Sequence, residues 1–256
     1  MNLRLNINET SNYNSESQKV RVSTEGWVAD NVYCPRCGED RINRLPNNSP
    51  VADFSCPICN NIFELKSKHG KLGAKINDGA YHSMIDRIMS DTNPDFFFLS
   101  YSKEQKIVKD LIVVPKHFFI PDIIEKRKPL SENARRAGWI GCNILINKVP
   151  KAGRIYLVKD HKEMSPGEVI KKLNKSSFLN DTSADAKGWL FDIMNCVDRI
   201  DNTYFELSDV YSFEFELAMK YPNNRHIRDK IRQQLQLLRD YGYIEFLGKG
   251  KYRKIE

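Results

Sequence analysis

The sequence predicts a mixed α/β (α+β) chain in two parts, residues 1–182 and 183–256, and three observations carry that reading. Strand-period and helix-period stretches intermix through the first part. Within it stand four cysteines in two C-x-x-C pairs, Cys34 with Cys37 and Cys56 with Cys59. The second part holds three helix-period stretches followed by a short glycine-turned hairpin.

In chain order, residues 1–18 are polar and rich in Asn and Ser, and residues 19–31, with Val20, Val22, Trp27 and Val28, predict an amphipathic helix. The two cysteine pairs are eighteen residues apart, inside the spacing of a four-thiolate zinc site. Four thiolates suit tetrahedral Zn²⁺ with no open position, so the expected role of the zinc is structural. Directly after the second pair, Phe63 and Leu65 alternate with Glu64 and Lys66, which predicts a strand. Residues two apart on a strand share a face, so Glu64 and Lys66 point the same way. If Asp53 ends a neighbouring strand, two carboxylates and an ammonium converge. Phosphodiester hydrolysis needs such a set: hard oxygens to hold Mg²⁺, and a lysine to handle the attacking water.

Beyond a basic loop, residues 77–89 predict a helix with Ala80, Met84, Ile85 and Ile88 on one face. Residues 96–101, 109–115 and 154–159 predict strands. Between them, Arg135, Arg136 and Trp139 lie on a loop with Gly138 and Gly141. They suit phosphate or guanine contacts with a stacking or wedging aromatic, or equally an ordinary buried Trp flanked by solvated arginines. Residues 160–184, polar with a Ser-Pro-Gly turn, are the linker candidate.

The second part predicts helices at 189–197, 207–219 and 225–241, then strands at 243–247 and 251–255 around Gly248-Lys249-Gly250. Three helices and a basic hairpin describe a winged helix. On its third helix Ile227, Ile231, Leu235 and Leu238 form an apolar stripe, while Arg225, Arg228, Arg232, Gln236 and Arg239 follow a second one. Residues 225–254 carry nine cations against three acids, and residues 192–216 seven acids against Arg199. A basic helix start (Arg225, His226, Arg228, Arg232) and a basic wing (Lys249, Lys251, Arg253) suit docking in a DNA groove, although winged helices also serve as protein-interaction modules.

Composition sets outer bounds. Forty Lys and Arg against 33 acids give a net charge of +7 and a pI near 9.0, which permits polyanion binding without requiring it. The excess lies in residues 1–182, since residues 183–256 hold equal numbers of both signs. No apolar run reaches membrane-spanning length and no apolar leader precedes residue 19, so the expected location is cytoplasmic, with no membrane partner. In a reducing compartment, four of six cysteines in C-x-x-C pairs indicate metal and not disulfides.

Pro50-Val51-Ala52-Asp53, Glu64-Leu65-Lys66 and the interleaved cysteines join three further stretches: Arg135-Arg-Ala-Gly-Trp139-Ile-Gly-Cys-Asn143, the run 231–240 and Gly248-Lys-Gly-Lys-Tyr-Arg-Lys254. On these motifs the chain resembles DpnI-type restriction endonucleases nearly end to end. The resemblance implies a PD-(D/E)xK nuclease domain with an inserted zinc site over 1–182 and a winged-helix DNA-binding domain over 183–256. It also implies cleavage of double-stranded DNA at GATC sites whose adenine is N6-methylated. One departure is local: the usual Pro-Asp pair is Ala52-Asp53 here, with Pro50 three residues upstream. That proline is not a metal ligand. The expected roles are Mg²⁺ binding by Asp53, Glu64 and the Leu65 carbonyl, with Lys66 handling the water, in a monomeric enzyme. The other reading is a non-cleaving reader or regulator of methylated DNA, its carboxylates a surface charge cluster.

Overall fold

Helix α1 (Glu16–Asn31) buries Val22, Trp27 and Val28, but Ser23, Thr24 and Glu25 share the buried face, so the expected amphipathic pattern does not hold. The polar members are satisfied locally. Ser23 Oγ donates to the Asn6 carbonyl at 2.9 Å, Thr24 Oγ1 to that of Val20 at 2.9 Å, and Glu25 accepts from Arg44. This computed structural model describes residues 1–6, 15–46, 49, 52–90 and 92–255. Pro50 and residues 7–14 of the polar N-terminal stretch lie outside them.

The chain separates into two units, Met1–Asn180 and Asp181–Glu256. After α1 the first unit runs β1 (Asn43–Arg44), β2 (Phe54–Ser55), β3 (Ile62–His69), β4 (Lys75–Ala80), α2 (Tyr81–Ile88), β5 (Asp95–Ser102) and β6 (Ile107–Val114). It continues with β7 (Ile124–Lys126), β8 (Gly141–Leu145), β9 (Ile155–Lys159), β10 (Lys162–Glu163) and α3 (Pro166–Lys175). A seven-stranded sheet has the order β1-β2-β3-β5-β6-β9-β10 and a three-stranded sheet the order β4-β8-β7. β3 and β5 are parallel, with Glu64 opposite Phe96 and Lys66 opposite Phe98. A parallel pair needs a long crossover, here supplied by β4 and α2. β5 is buried from Asp95 to Tyr101, as its run of phenylalanines requires.

Two expectations for this unit are corrected. Residues 77–80 are strand and not helix, because Asn77 and Asp78 pair with Asn143 and Cys142 on β8; only Tyr81–Ile88 is helical, burying Met84 and Ile88. The stretch 160–184 is not a linker. It forms β10, α3 and a 3₁₀ turn at Ser177–Asp181, and Val169 and Leu173, one helical turn apart, join the core beneath the main sheet. His117 fixes the end of this segment by pairing with Ser176 Oγ at 2.9 Å and Asn180 Oδ1 at 3.1 Å.

The second unit contains α4 (Ala184–Arg199), β11 (Tyr204–Glu206), α5 (Leu207–Tyr211), α6 (Glu214–Lys220), α7 (Ile227–Asp240), β12 (Ile244–Gly248) and β13 (Lys251–Lys254). The helix expected at 207–219 is broken at Ser212, whose hydroxyl donates back to the Asp209 carbonyl at 2.6 Å. The wing also gains a strand that the sequence pattern did not reveal: β11 pairs with β13, giving the order β11-β13-β12. The α7 stripe Ile227, Ile231, Leu235 and Leu238 is buried throughout.

Candidate active site

Asp53 sits at the bend before β2, and two hydrogen bonds fix it to β3. Its N–H donates to the Phe63 carbonyl at 2.9 Å, and its Oδ2 accepts from the Leu65 N–H at 2.7 Å. The N–H and C=O of one strand residue point to the same side, so the Leu65 carbonyl faces the edge on which the Asp53 carboxylate lies.

Glu64 and Lys66 share the adjoining face of β3, as the alternation requires. Lys66 Nζ lies 2.6 Å from Glu64 Oε1 and also pairs with Asp78 of β4, while the other Glu64 oxygen pairs with Arg87 of α2. Two cations and two carboxylates therefore close a chain of ion pairs. Glu64 and Lys66 are largely buried, which does not fit the surface charge cluster of the alternative reading. Burial pushes the Glu64 carboxyl above its ordinary value, and Lys66 and Arg87 only partly oppose that shift. For Lys66 burial acts downward, but Glu64 and Asp78 outweigh it and the ammonium is held above its usual value. Asp78 and Arg87 were missed from the sequence. They arrive from a second sheet and from a helix, and no spacing along the chain marks that approach.

The four cysteines do converge. Their Sγ atoms all lie within 4.8 Å of one another, with Cys34 3.6 Å from Cys59 and Cys37 3.5 Å from Cys56. The two knuckles are built alike, Gly38 and Asn60 following each pair with positive φ. Gly38 N–H returns to the Cys34 carbonyl at 2.8 Å and Asn60 N–H to that of Cys56 at 3.1 Å. A side chain at Gly38 would be strained by its φ of +85°. Four sulfurs at this separation fit a tetrahedral zinc ion with no open position. Burial raises the Cys34 and Cys59 thiols, whereas at Cys56 the N–H groups of Cys59 and Ile58 outweigh burial and draw the thiol below its usual value.

The loop residues expected near nucleic acid are only partly free. Arg136 lies over the Trp139 ring at 4.6 Å, and the half-buried ring packs onto Gly141, where a Cβ would come within 2.8 Å of it. Backbone bonds between Leu130 and both Gly138 and Trp139 close the loop at 3.0 Å, and Arg135 stays exposed. Trp139 is thus neither a core tryptophan nor an unsupported wedge.

On the second unit, Arg228 Nε lies 2.8 Å from Glu214 and its guanidinium covers the Tyr211 ring at 5.0 Å. Arg232 donates to the Tyr211 hydroxyl at 2.7 Å and pairs with Asp229. Arg239 pairs with Asp240 at 2.8 Å, so three of the four arginines of the predicted stripe are engaged within α5, α6 and α7 themselves. Exposed His226 stands at the α7 N-terminus, 3.7 Å from Asp229. On the wing Lys251 pairs with Glu206 at 3.8 Å and Arg253 with Glu245 at 2.6 Å. Among the described residues Arg225 and Lys249 have no acidic partner.

An α+β first unit followed by a winged helix-turn-helix matches a family of DNA-acting restriction enzymes. The chain belongs to the Dam-replacing (DpnI) family, whose model matches residues 1–182, and the family's helix-turn-helix domain matches residues 185–254. Among the described residues no helix is long and apolar enough to cross a membrane.

Proposed function

We propose that this protein is a Mg²⁺-dependent, methyl-directed restriction endonuclease that hydrolyses double-stranded DNA at GATC sites carrying N6-methyladenine. Residues 1–182 act as the nuclease domain and residues 183–256 as the DNA-binding winged helix, in a cytoplasmic monomer. The observation that carries the proposal is the Asp53 carboxylate docked on the Leu65 N–H beside the Glu64 and Lys66 face.

Asp53, Glu64 and the Leu65 carbonyl are hard oxygen donors of the kind Mg²⁺ takes. Bound there, the ion supplies a Lewis acid for the phosphoryl oxygen and an acidified water. The protein's own groups do the rest. Asp53 is oriented by backbone before any ligand arrives. As a ligand Glu64 would share its two oxygens between the metal and its cationic partners Lys66 and Arg87. Lys66, kept as an ammonium by its two carboxylates, orients the attacking water and offsets charge developing on the phosphoryl oxygens. The four-cysteine site holds Zn²⁺ in a structural role.

The methyl preference rests on the family. The N6-methyl group lies in the major groove on an amine that still donates a hydrogen bond, so discrimination comes from an apolar surface or from a polar group that unmethylated DNA leaves wet. Arg135, Arg136 and Trp139 on one unit, and Arg225, His226, Arg228, Arg232, Lys249, Lys251 and Arg253 on the other, are the proposed DNA contacts.

Methylated and unmethylated plasmid incubated with protein and Mg²⁺ tests the proposal, with cutting of the methylated form alone expected. Asp53→Ala, Glu64→Ala and Lys66→Ala should each abolish cutting and leave duplex binding within a few-fold, because these groups act on the phosphate and not on the bases. Tight binding of methylated duplex without any cutting by the unaltered protein would instead assign a reader of methylated DNA.

A further inference from the structure

The Lys66 ammonium has three donors, and two of them face carboxylates from different sheets, Glu64 on its own strand and Asp78 on β4. Only 8% of the Asp78 side chain is exposed, and the residue has no place in the two-carboxylate, one-lysine set read from the sequence. Its approach is built in. The β4 to β8 pairing shifts register between Asp78 and Ala80, and such a bulge re-aims a side chain out of its ladder. Nearby, the Cys142 thiol donates to the Gly79 carbonyl at 3.5 Å, holding the irregular turn.

We infer that Asp78 is a positioning residue for Lys66, retaining the ammonium at the site when Glu64 turns from the ion pair to the metal. The inference rests on the nuclease reading. A buried cation whose only partner departs is left unpaired at high cost, and it either follows the partner or swings out of register. With Glu64 as sole partner, Lys66 would compete with the metal for the same oxygens. A second carboxylate, anchored in another sheet and absent from the ligand set, removes both difficulties. Asp78 makes no hydrogen bond to the Asp53 carboxylate or to the Leu65 N–H that orients it; its one ion pair at the site is with Lys66, and its charge also helps to raise the Glu64 carboxyl.

Asp78→Asn keeps the size and removes the charge, and Asp78→Glu keeps the charge at greater reach. In full-length protein on methylated duplex, the single-turnover cutting rate of Asp78→Asn should fall by ~10–100-fold, the range seen when a supporting partner is removed. Its Kd for the same duplex without metal should stay within about twofold by the same argument, and Asp78→Glu should recover part of the rate. A metal-free readout stands beside these. Labelling of Lys66 by an amine-reactive ester, followed by mass spectrometry and referenced to exposed Lys103, should be several-fold faster in Asp78→Asn than in the unaltered protein. Thermal melting confirms that the variants are folded. Unaltered protein that fails to cut overturns the nuclease reading and this inference with it. Unaltered protein that cuts, beside an Asp78→Asn variant that cuts as fast or labels no faster, overturns the role of Asp78 alone.

Discussion

Asp95 has no exposed surface, yet its carboxylate accepts from Arg36 Nε at 2.7 Å and from Arg36 Nη2, Asn61 Nδ2 and the Lys116 N–H, each at 2.8 Å. Arg36 lies inside the first cysteine pair, Asn61 just past the second, and Asp95 faces Phe63 beside Glu64. One buried residue thus ties both knuckles to β5, the strand that pairs with the one carrying Glu64 and Lys66. Asp95→Ala strands a mostly buried guanidinium, so urea denaturation should show a loss of about 3–5 kcal/mol; an unmoved midpoint would remove Asp95 from this role. Cysteine chemistry gives a second residue-level test. Burial pushes the Cys142 thiol up to about 11 and the Cys196 thiol up to about 12, with the charges of Asp78 and Glu216 respectively adding to it. Near pH 8 both are almost wholly protonated and shielded, and therefore unreactive. A chelator should expose the four thiols of the zinc cluster to a disulfide reagent while Cys142 and Cys196 stay silent until denaturant is added. Release of all six on chelation would mean that metal loss unfolds both units.

Helix α3 shows at the element scale why composition misled. It lies in a polar stretch and carries three lysines in ten residues, but Val169 and Leu173 fall one helical turn apart and are buried against the main sheet. Leu173→Ala should cost about 2–5 kcal/mol in chemical denaturation, which a substitution in a true linker would not. Elements whose signal is local were legible from sequence: the alternation at 62–66, the phenylalanine run of β5, the apolar stripe of α7 and the two cysteine knuckles. Elements defined by a distant partner were not. Residues 77–80 become strand only because β8 pairs with them, and β11 only because β13 does. The same distinction divides the site. Asp53, Glu64 and Lys66 belong to one short antiparallel pair and could be gathered from spacing, whereas Asp78 and Arg87 reach it through tertiary packing alone.

Along the sequence the net charge of +7 resides in residues 1–182, while residues 183–256 are neutral but polarised, with their acids concentrated before residue 217 and their cations after residue 224. Polarisation matters more than the sum for DNA affinity, because each phosphate contact acts through a local cation and the counterions it displaces. The ion pairs within the second unit separate the cations by expected role. Arg228 must leave Glu214 and the Tyr211 ring to reach a base, but exposed pairs of this kind contribute only ~0–1 kcal/mol, so a bidentate contact to a base edge easily replaces them. Lys249 stands at the tip of the wing on a positive-φ turn, with no acidic partner among the described residues, as the proposed phosphate contact requires. In full-length protein Lys249→Ala should weaken methylated and unmethylated duplexes alike and lower the slope of log affinity against log salt by about 1. Arg228→Ala should cost ~1–3 kcal/mol on the methylated site, cost less elsewhere and leave the slope nearly unchanged. Fluorescence anisotropy on both duplexes at two salt concentrations measures all four quantities. If Lys249→Ala leaves the slope intact while Arg228→Ala lowers it, the wing faces solvent and the arginine is the phosphate contact.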